Sequence, residues 1–103
     1  SQIAFEQTIL PGPSGGVYVM SASGANVRAV PGAEGGSLPD WSPDGTKILF
    51  LGSQPGHPYR VARVVQPDGG GVQTVGGTTA CTSNVSGAKW SPDGARIAYT
   101  CYE

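Results

Sequence analysis

Residues Trp41-Ser42-Pro43-Asp44-Gly45-Thr46-Lys47-Ile48-Leu49-Phe50-Leu51 decide how this chain folds. Asp44-Gly45 is a strong reversal signal, and the short apolar run after it is rich in strand formers, so the stretch reads as a turn feeding a β-strand. The same pentapeptide returns at Trp90-Ser91-Pro92-Asp93-Gly94 and again leads into an apolar run, Ile97-Ala98-Tyr99. A third version of that strand, Ile3-Ala4-Phe5, lies near the start; the step from Ile3 to Ile48 is 45 residues and from Ile48 to Ile97 it is 49. The chain is therefore built on an internal repeat.

The register extends beyond these strands. An offset of 45 carries Val19, Met20, Gly24, Val27 and Val30 onto Val64, Val65, Gly69, Val72 and Val75. The later growth of the offset to 49 places four extra residues in the second copy, between Gly76 and Lys89. Within one unit, Tyr59 to Val65 reads as a second strand, Pro67 to Gly71 as a turn and Val72 to Val75 as a third strand. A short fourth strand must end at each tryptophan. Strands are predicted over 2–6, 16–21, 26–30, 46–51, 59–66, 71–75 and 95–101, with short ones just before Trp41 and Trp90. No long stretch holds apolar residues at helical spacing, and 17 Gly and 9 Pro punctuate the chain, so almost no helix is expected.

Four short antiparallel strands in a unit of roughly 40–50 residues is the arithmetic of a β-propeller blade. Ile-Ala-Phe, then Val-Tyr-Val-Met-Ser-Ala-Ser-Gly, then Val-Arg-Ala-Val, then Pro-Asp-Trp-Ser-Pro-Asp-Gly-Thr-Lys-Ile resembles the TolB-like propeller repeat, a relative of the Trp-Asp repeat, over nearly the whole chain. Two features depart from that pattern: Ser23 stands where an Asp is usual, although the second copy keeps Asp68, and Gln7 to Gly16 is unusually rich in Pro and Gly. With blade strands lettered A to D from the inside outward, the chain reads B-C-D, A-B-C-D, A-B, about two blades in all. The repeats divide it into 1–45, 46–94 and, opening a third unit, 95–103. A ring normally needs four to eight blades, so the expectation is a partial propeller or one completed by further copies.

The signature residues Trp41, Pro43, Asp44 and Gly45, with Trp90, Pro92, Asp93 and Gly94, have a structural reading. Proline presets φ at the first corner of a turn, aspartate accepts backbone N–H groups across it, and glycine supplies a positive φ. The tryptophans offer large apolar area where neighbouring blades stack.

Composition narrows the partners. Six basic residues against seven acidic ones give a net charge of −1, and the basic ones are scattered, so no nucleic-acid footprint exists and no nucleic-acid partner is expected. No apolar run approaches the length of a membrane-spanning helix, which argues against membrane insertion, and no signal peptide is visible; a start at Ser1 instead of Met is read as a processed or trimmed chain. If Trp90 and Arg96 flank the second turn, antiparallel pairing sets Cys101 opposite about Val85, four residues from Cys81. A Cys81–Cys101 disulfide is expected, with two free thiols as the alternative, and oxidation would fit a periplasmic or secreted protein.

Catalytic patterns are sparse. Gly12-Pro13-Ser14-Gly15-Gly16 spells a G-x-S-x-G motif, but that elbow needs a helix after it and a strand beginning at Val17 follows instead. His57 is the sole histidine, set in a Gly-His-Pro loop, and two cysteines with one histidine do not close a zinc site. Asp40, Asp44, Asp68 and Asp93 sit in or beside turns, where hydrogen bonding to the local backbone accounts for them. No catalytic residue, metal or cofactor is expected. The resemblance implies a non-catalytic binding or scaffold module for protein partners or for self-assembly into a homo-oligomer. The alternative is a fragment of the propeller domain of a prolyl-oligopeptidase-like serine peptidase.

Overall fold

The computed structural model describes residues 2–7, 16–53, 60–76 and 85–101. Among them there is no helix, and nine strands form three antiparallel sheets. Strands β1 (Gln2–Gln7), β2 (Gly16–Ser21) and β3 (Arg28–Glu34) make a first sheet; β4 (Ser37–Trp41), β5 (Ile48–Gly52), β6 (Val61–Val65) and β7 (Gln73–Gly76) a second; β8 (Val85–Trp90) and β9 (Ile97–Cys101) a third. The all-β reading and the grouping into three, four and two strands hold.

The second sheet lies between the other two, and β5 explains why. Its side chains alternate across the pleat. Ile48 and Phe50, with Val65 of β6, face Val17, Val19, Val30 and Ala33 of the first sheet. Leu49 and Leu51, with Ala62 and Val64, face Val85 and Ala88 of the third. An antiparallel strand usually leaves one face to water. Here every residue of β5 is buried, so both faces need a cover. Each such side chain contributes roughly 1.5–3 kcal/mol when fully buried.

The two signature turns are built alike. Gly45 N–H donates to the Ser42 carbonyl at 2.9 Å and Ser42 N–H to the Lys47 carbonyl at 2.9 Å, closing the β4–β5 hairpin. Ser42 Oγ donates to Asp44 Oδ1 at 2.6 Å and accepts from Lys47 N–H at 3.0 Å. Ser91, Asp93, Gly94 and Arg96 repeat these bonds between β8 and β9. Gly45 and Gly94 share φ 75°, a left-handed conformation that glycine adopts without steric cost. Thr46 sets the copies apart, because its hydroxyl donates to Asp44 Oδ1 at 2.7 Å where the second turn has Ala95. Hydrogen bonds from Ser42 and Thr46 lower the Asp44 carboxyl to about 2. Those from Ser91 and the Ala95 amide lower Asp93 as well.

Element ends depart from expectation where bulges intervene. The strand predicted over 26–30 runs instead from Arg28 to Glu34, because pairing with β2 jumps from Tyr18↔Ala29 to Gly16↔Glu34. In β7 the slip is smaller, from Arg63↔Thr74 to Ala62↔Gly76. The repeat-equivalent valines consequently part company: Val30 is 1% exposed and Val75 39%. The β3 bulge also meets the β6–β7 turn of the next sheet. A Cβ on Gly32 would stand 2.5 Å from Val72 Cγ2, and one on Gly69 2.6 Å from Pro31 Cβ. Arg28 Nη1 closes the same contact by donating to the Pro67 carbonyl at 2.8 Å.

Gly32→Ala therefore carries two penalties: a positive φ of 87°, costing roughly 1–2 kcal/mol, and overpacking against Val72, costing roughly 1–3 kcal/mol. Gly24→Ala has a similar φ of 88° but open space around it and carries only the first. Urea denaturation should rank Gly32→Ala clearly below Gly24→Ala. A second expectation concerns acid. Asp44 has a folded-state value near 2 against an ordinary 3.8, so its share of stability is fully present above about pH 4 and is lost as pH falls towards 2. Denaturation series across that window should show a smaller acid-dependent loss for Asp44→Asn than for the parent protein.

Candidate protein-binding surface

The three sheets leave two outward faces with no cover among the described residues. On the first sheet, Ala4, Val17 and Val19 turn inward, so pleat alternation puts Ile3, Phe5, Tyr18 and Met20 outward. The pairs Ile3↔Met20 and Phe5↔Tyr18 are direct cross-strand neighbours, and the Phe5 and Tyr18 rings stack with centroids 5.9 Å apart. Ile3 is 42% exposed. On the third sheet, Ala88, Trp90, Ile97 and Tyr99 pack inward, leaving Lys89, Ala98 and Thr100 on the open side. A shallow hollow of about 330 Å³ lies over Gly87, Ala98 and Thr100. The free edges of β1 and β9 add rows of main-chain groups that no strand of their own sheets pairs.

Between the first and third sheets, beside β4, a groove of about 300 Å³ is lined by Ala4, Phe5, Leu38, Pro39 and Gly87. Leu38 stands at its rim, 52% exposed and with φ 53°. A left-handed leucine costs on the order of 1–2 kcal/mol. Gly87, at the equivalent repeat position, does not share that positive φ, so the strained conformation belongs to the register shift between Ser37 and Asp40 in β4.

The edge strands β4 and β8 of adjacent sheets are joined through one residue. Asp40 Oδ2 accepts the Trp90 backbone N–H at 3.1 Å, and the Asp40 carbonyl accepts Trp90 Nε1–H at 3.1 Å. This corrects the turn reading of Asp40: it lies in β4 and reaches across to the next sheet. Asp68 keeps a local role, with Oδ1 accepting from Gly70 N–H at 2.8 Å, as do Asp44 and Asp93. Trp41, one repeat earlier, has a buried Nε1 with no acceptor among the described residues.

Of the signature residues, Trp41 packs against the first core cluster and Trp90 against the second, while the two Pro-Asp-Gly corners face a furrow of about 340 Å³ between the turns. The Oδ1 atoms of both aspartates there are engaged inside their own turns. The basic residues that looked scattered in sequence serve partly as clamps on carbonyls: Arg60 Nη2 donates to Gly35 and Leu51 at 2.9 Å each, and Arg63 Nη1 to Ser53 at 2.9 Å. Sequence reasoning missed these roles because the acceptors are main-chain atoms distant along the chain.

Among the described residues no three His, Cys, Asp or Glu side chains converge as a metal site, and no helix is long and apolar enough to cross a membrane. His57, Cys81 and residues 12–15 lie outside the described residues, and with Cys81 the expected Cys81–Cys101 bridge; Gly16 already opens β2. The backbone register expected for that bridge is present, since Val85 pairs with Cys101. Compared with known proteins, the chain matches no family model and no curated sequence.

Trp90 is half-buried, packs against the second cluster and bonds its indole N–H to the next sheet. Trp90→Ala is expected to cost about 3 kcal/mol, the low end of the range for a large core aromatic. Trp90→Phe should cost nearer 1 kcal/mol through loss of the indole hydrogen bond. Chemical denaturation of the two variants checks this, and a Trp90→Ala protein as stable as its parent would remove the indole from the sheet contact.

Proposed function

We propose that the chain is a non-catalytic, β-propeller-type binding module with a TolB-like repeat, whose role is to hold a protein partner or further copies of itself. One observation supports this most: an ordered stack of three antiparallel sheets whose two ends keep apolar faces and strand edges available. Apolar faces rimmed by polar residues mark interaction sites, and unpaired edges accept extended segments by main-chain hydrogen bonding. Of the residues singled out for chemistry, Asp44, Asp68 and Asp93 act within turns and Asp40 in a sheet contact, and on this reading binding uses no cofactor. A net charge of −1 leaves contact with nucleic acid without an electrostatic drive. A periplasmic or secreted setting follows if Cys81 and Cys101 are oxidised.

Hydrogen exchange of the whole chain, followed from low to high micromolar concentration and with candidate envelope proteins added, is the test. Slowed exchange confined to β1, β8 and β9 supports a binding module. Stoichiometric labelling of Ser14 by a serine-reactive phosphonate would overturn the non-catalytic reading. Thiol titration under denaturing conditions checks the compartment, with no reactive thiol expected.

A further inference from the structure

The two uncovered faces differ in a way the internal repeat makes interpretable. Ile3 and Phe5 are the counterparts, 45 residues earlier, of Ile48 and Phe50, and the residue types are identical. Ile48 and Phe50 are 0% and 1% exposed, because the first sheet presents Val17, Val19, Val30 and Ala33 to them. Ile3, exposed, and Phe5, half-buried, offer the same two side chains, widened by Tyr18 and Met20, with no sheet over them among the described residues. The first sheet thus carries the knob side of a sheet-to-sheet contact already formed once inside the chain.

The matching recess is at the other end. Ala98 and Thr100 of β9 occupy the repeat positions of Leu49 and Leu51 of β5. Leucine at those positions fills the space under the third sheet, whereas alanine and threonine leave the hollow of about 330 Å³ over Gly87, Ala98 and Thr100. A cavity of roughly 150 Å³ already holds a benzene-sized ring. Ala4, the counterpart of Ala98 in the first copy, faces the Ile48 and Phe50 side chains within the chain, so a small residue opposite this knob pair has a precedent in the same molecule.

We infer that a second copy of this chain stacks head to tail on the first, its Ile3, Phe5, Tyr18 and Met20 seated on the Gly87, Ala98 and Thr100 face of β8–β9. This rests on the binding-module reading and names both its partner and its contact. The contact is heterologous, a different face from each copy, so it either closes into a ring or extends as a row. Lys89 lies at the margin of the recess, exposed, where its stem can cover apolar surface while the ammonium stays in water.

Sedimentation equilibrium on the full chain and two variants tests it. The unmodified chain is expected to associate with rising concentration. Phe5→Lys and Ala98→Lys each spoil one face, so each alone should weaken association on the order of a hundredfold or more. An equimolar mixture of the two keeps one intact pair of faces and should give a 1:1 dimer and nothing larger. Phe5 is half-buried, so circular dichroism and melting of each variant accompany the masses. Should Phe5→Lys fail to fold, Ala98→Lys and Thr100→Lys, both at exposed positions, carry the test. Association that survives Ala98→Lys at parental strength, or a mixture that stays monomeric, overturns the stacking. Either result leaves a binding module acting through its strand edges. An unmodified chain that is monomeric at high micromolar concentration overturns self-stacking too, and leaves only a different protein as partner.

Discussion

Burial of β5 on both faces is the constraint from which the architecture follows. A strand whose successive residues are Ile, Leu, Phe and Leu has no side to give to water. Antiparallel hairpins pair it edge to edge with β4 and β6, but pairing in the plane covers neither face. Only sheets above and below do that, and the first and third sheets fill those places with small and β-branched residues, mostly valine and alanine. A three-layer stack is the smallest arrangement that removes both faces from solvent, and it necessarily leaves the outer faces of the end sheets without the same cover.

The signature turns contribute to this stack by fixing direction. Serine, aspartate and glycine close each loop through bonds that span at most five residues, so each hairpin is specified by residues within its own turn. The tryptophan ahead of the turn carries the hairpin into the next layer. At Trp90 the indole both packs against the core and spends its N–H on the Asp40 carbonyl. At Trp41 the packing is retained while the indole N–H finds no acceptor among the described residues. An unmade bond of a buried donor costs about 1–3 kcal/mol, and the first copy sustains it alongside a left-handed Leu38. Strand β4 of the first copy is thus more strained than its counterpart β8.

The opposite edges of the first and second sheets, at β3 and β7, are held differently. There the layers touch where the Pro31–Gly32 bulge of β3 meets the Gly69–Val72 turn, with no room for a further carbon on either glycine. Main-chain carbonyls near these crossings are taken up by arginines, Arg28 on Pro67 and Arg60 on Gly35. Three of the six basic residues, Arg28, Arg60 and Arg63, therefore act within the molecule, donating to main-chain carbonyls.

By itself the sequence determined the all-β class, the grouping of strands as three, four and two, and the register that sets Cys101 across from Val85. These follow from turn chemistry and strand alternation, which act over a few residues and so are written locally. Only the tertiary structure decided which valines are core, as Val30 and Val75 show, because a bulge rotates everything beyond it by an amount no local pattern records. It also made Asp40 an inter-sheet bridge instead of a turn residue, since a carboxylate's partner fifty residues away depends on how two sheets approach. Ile3 and Phe5 stand between these cases: their likeness to Ile48 and Phe50 is in the sequence, while the lack of a sheet over them among the described residues is a property of the stack.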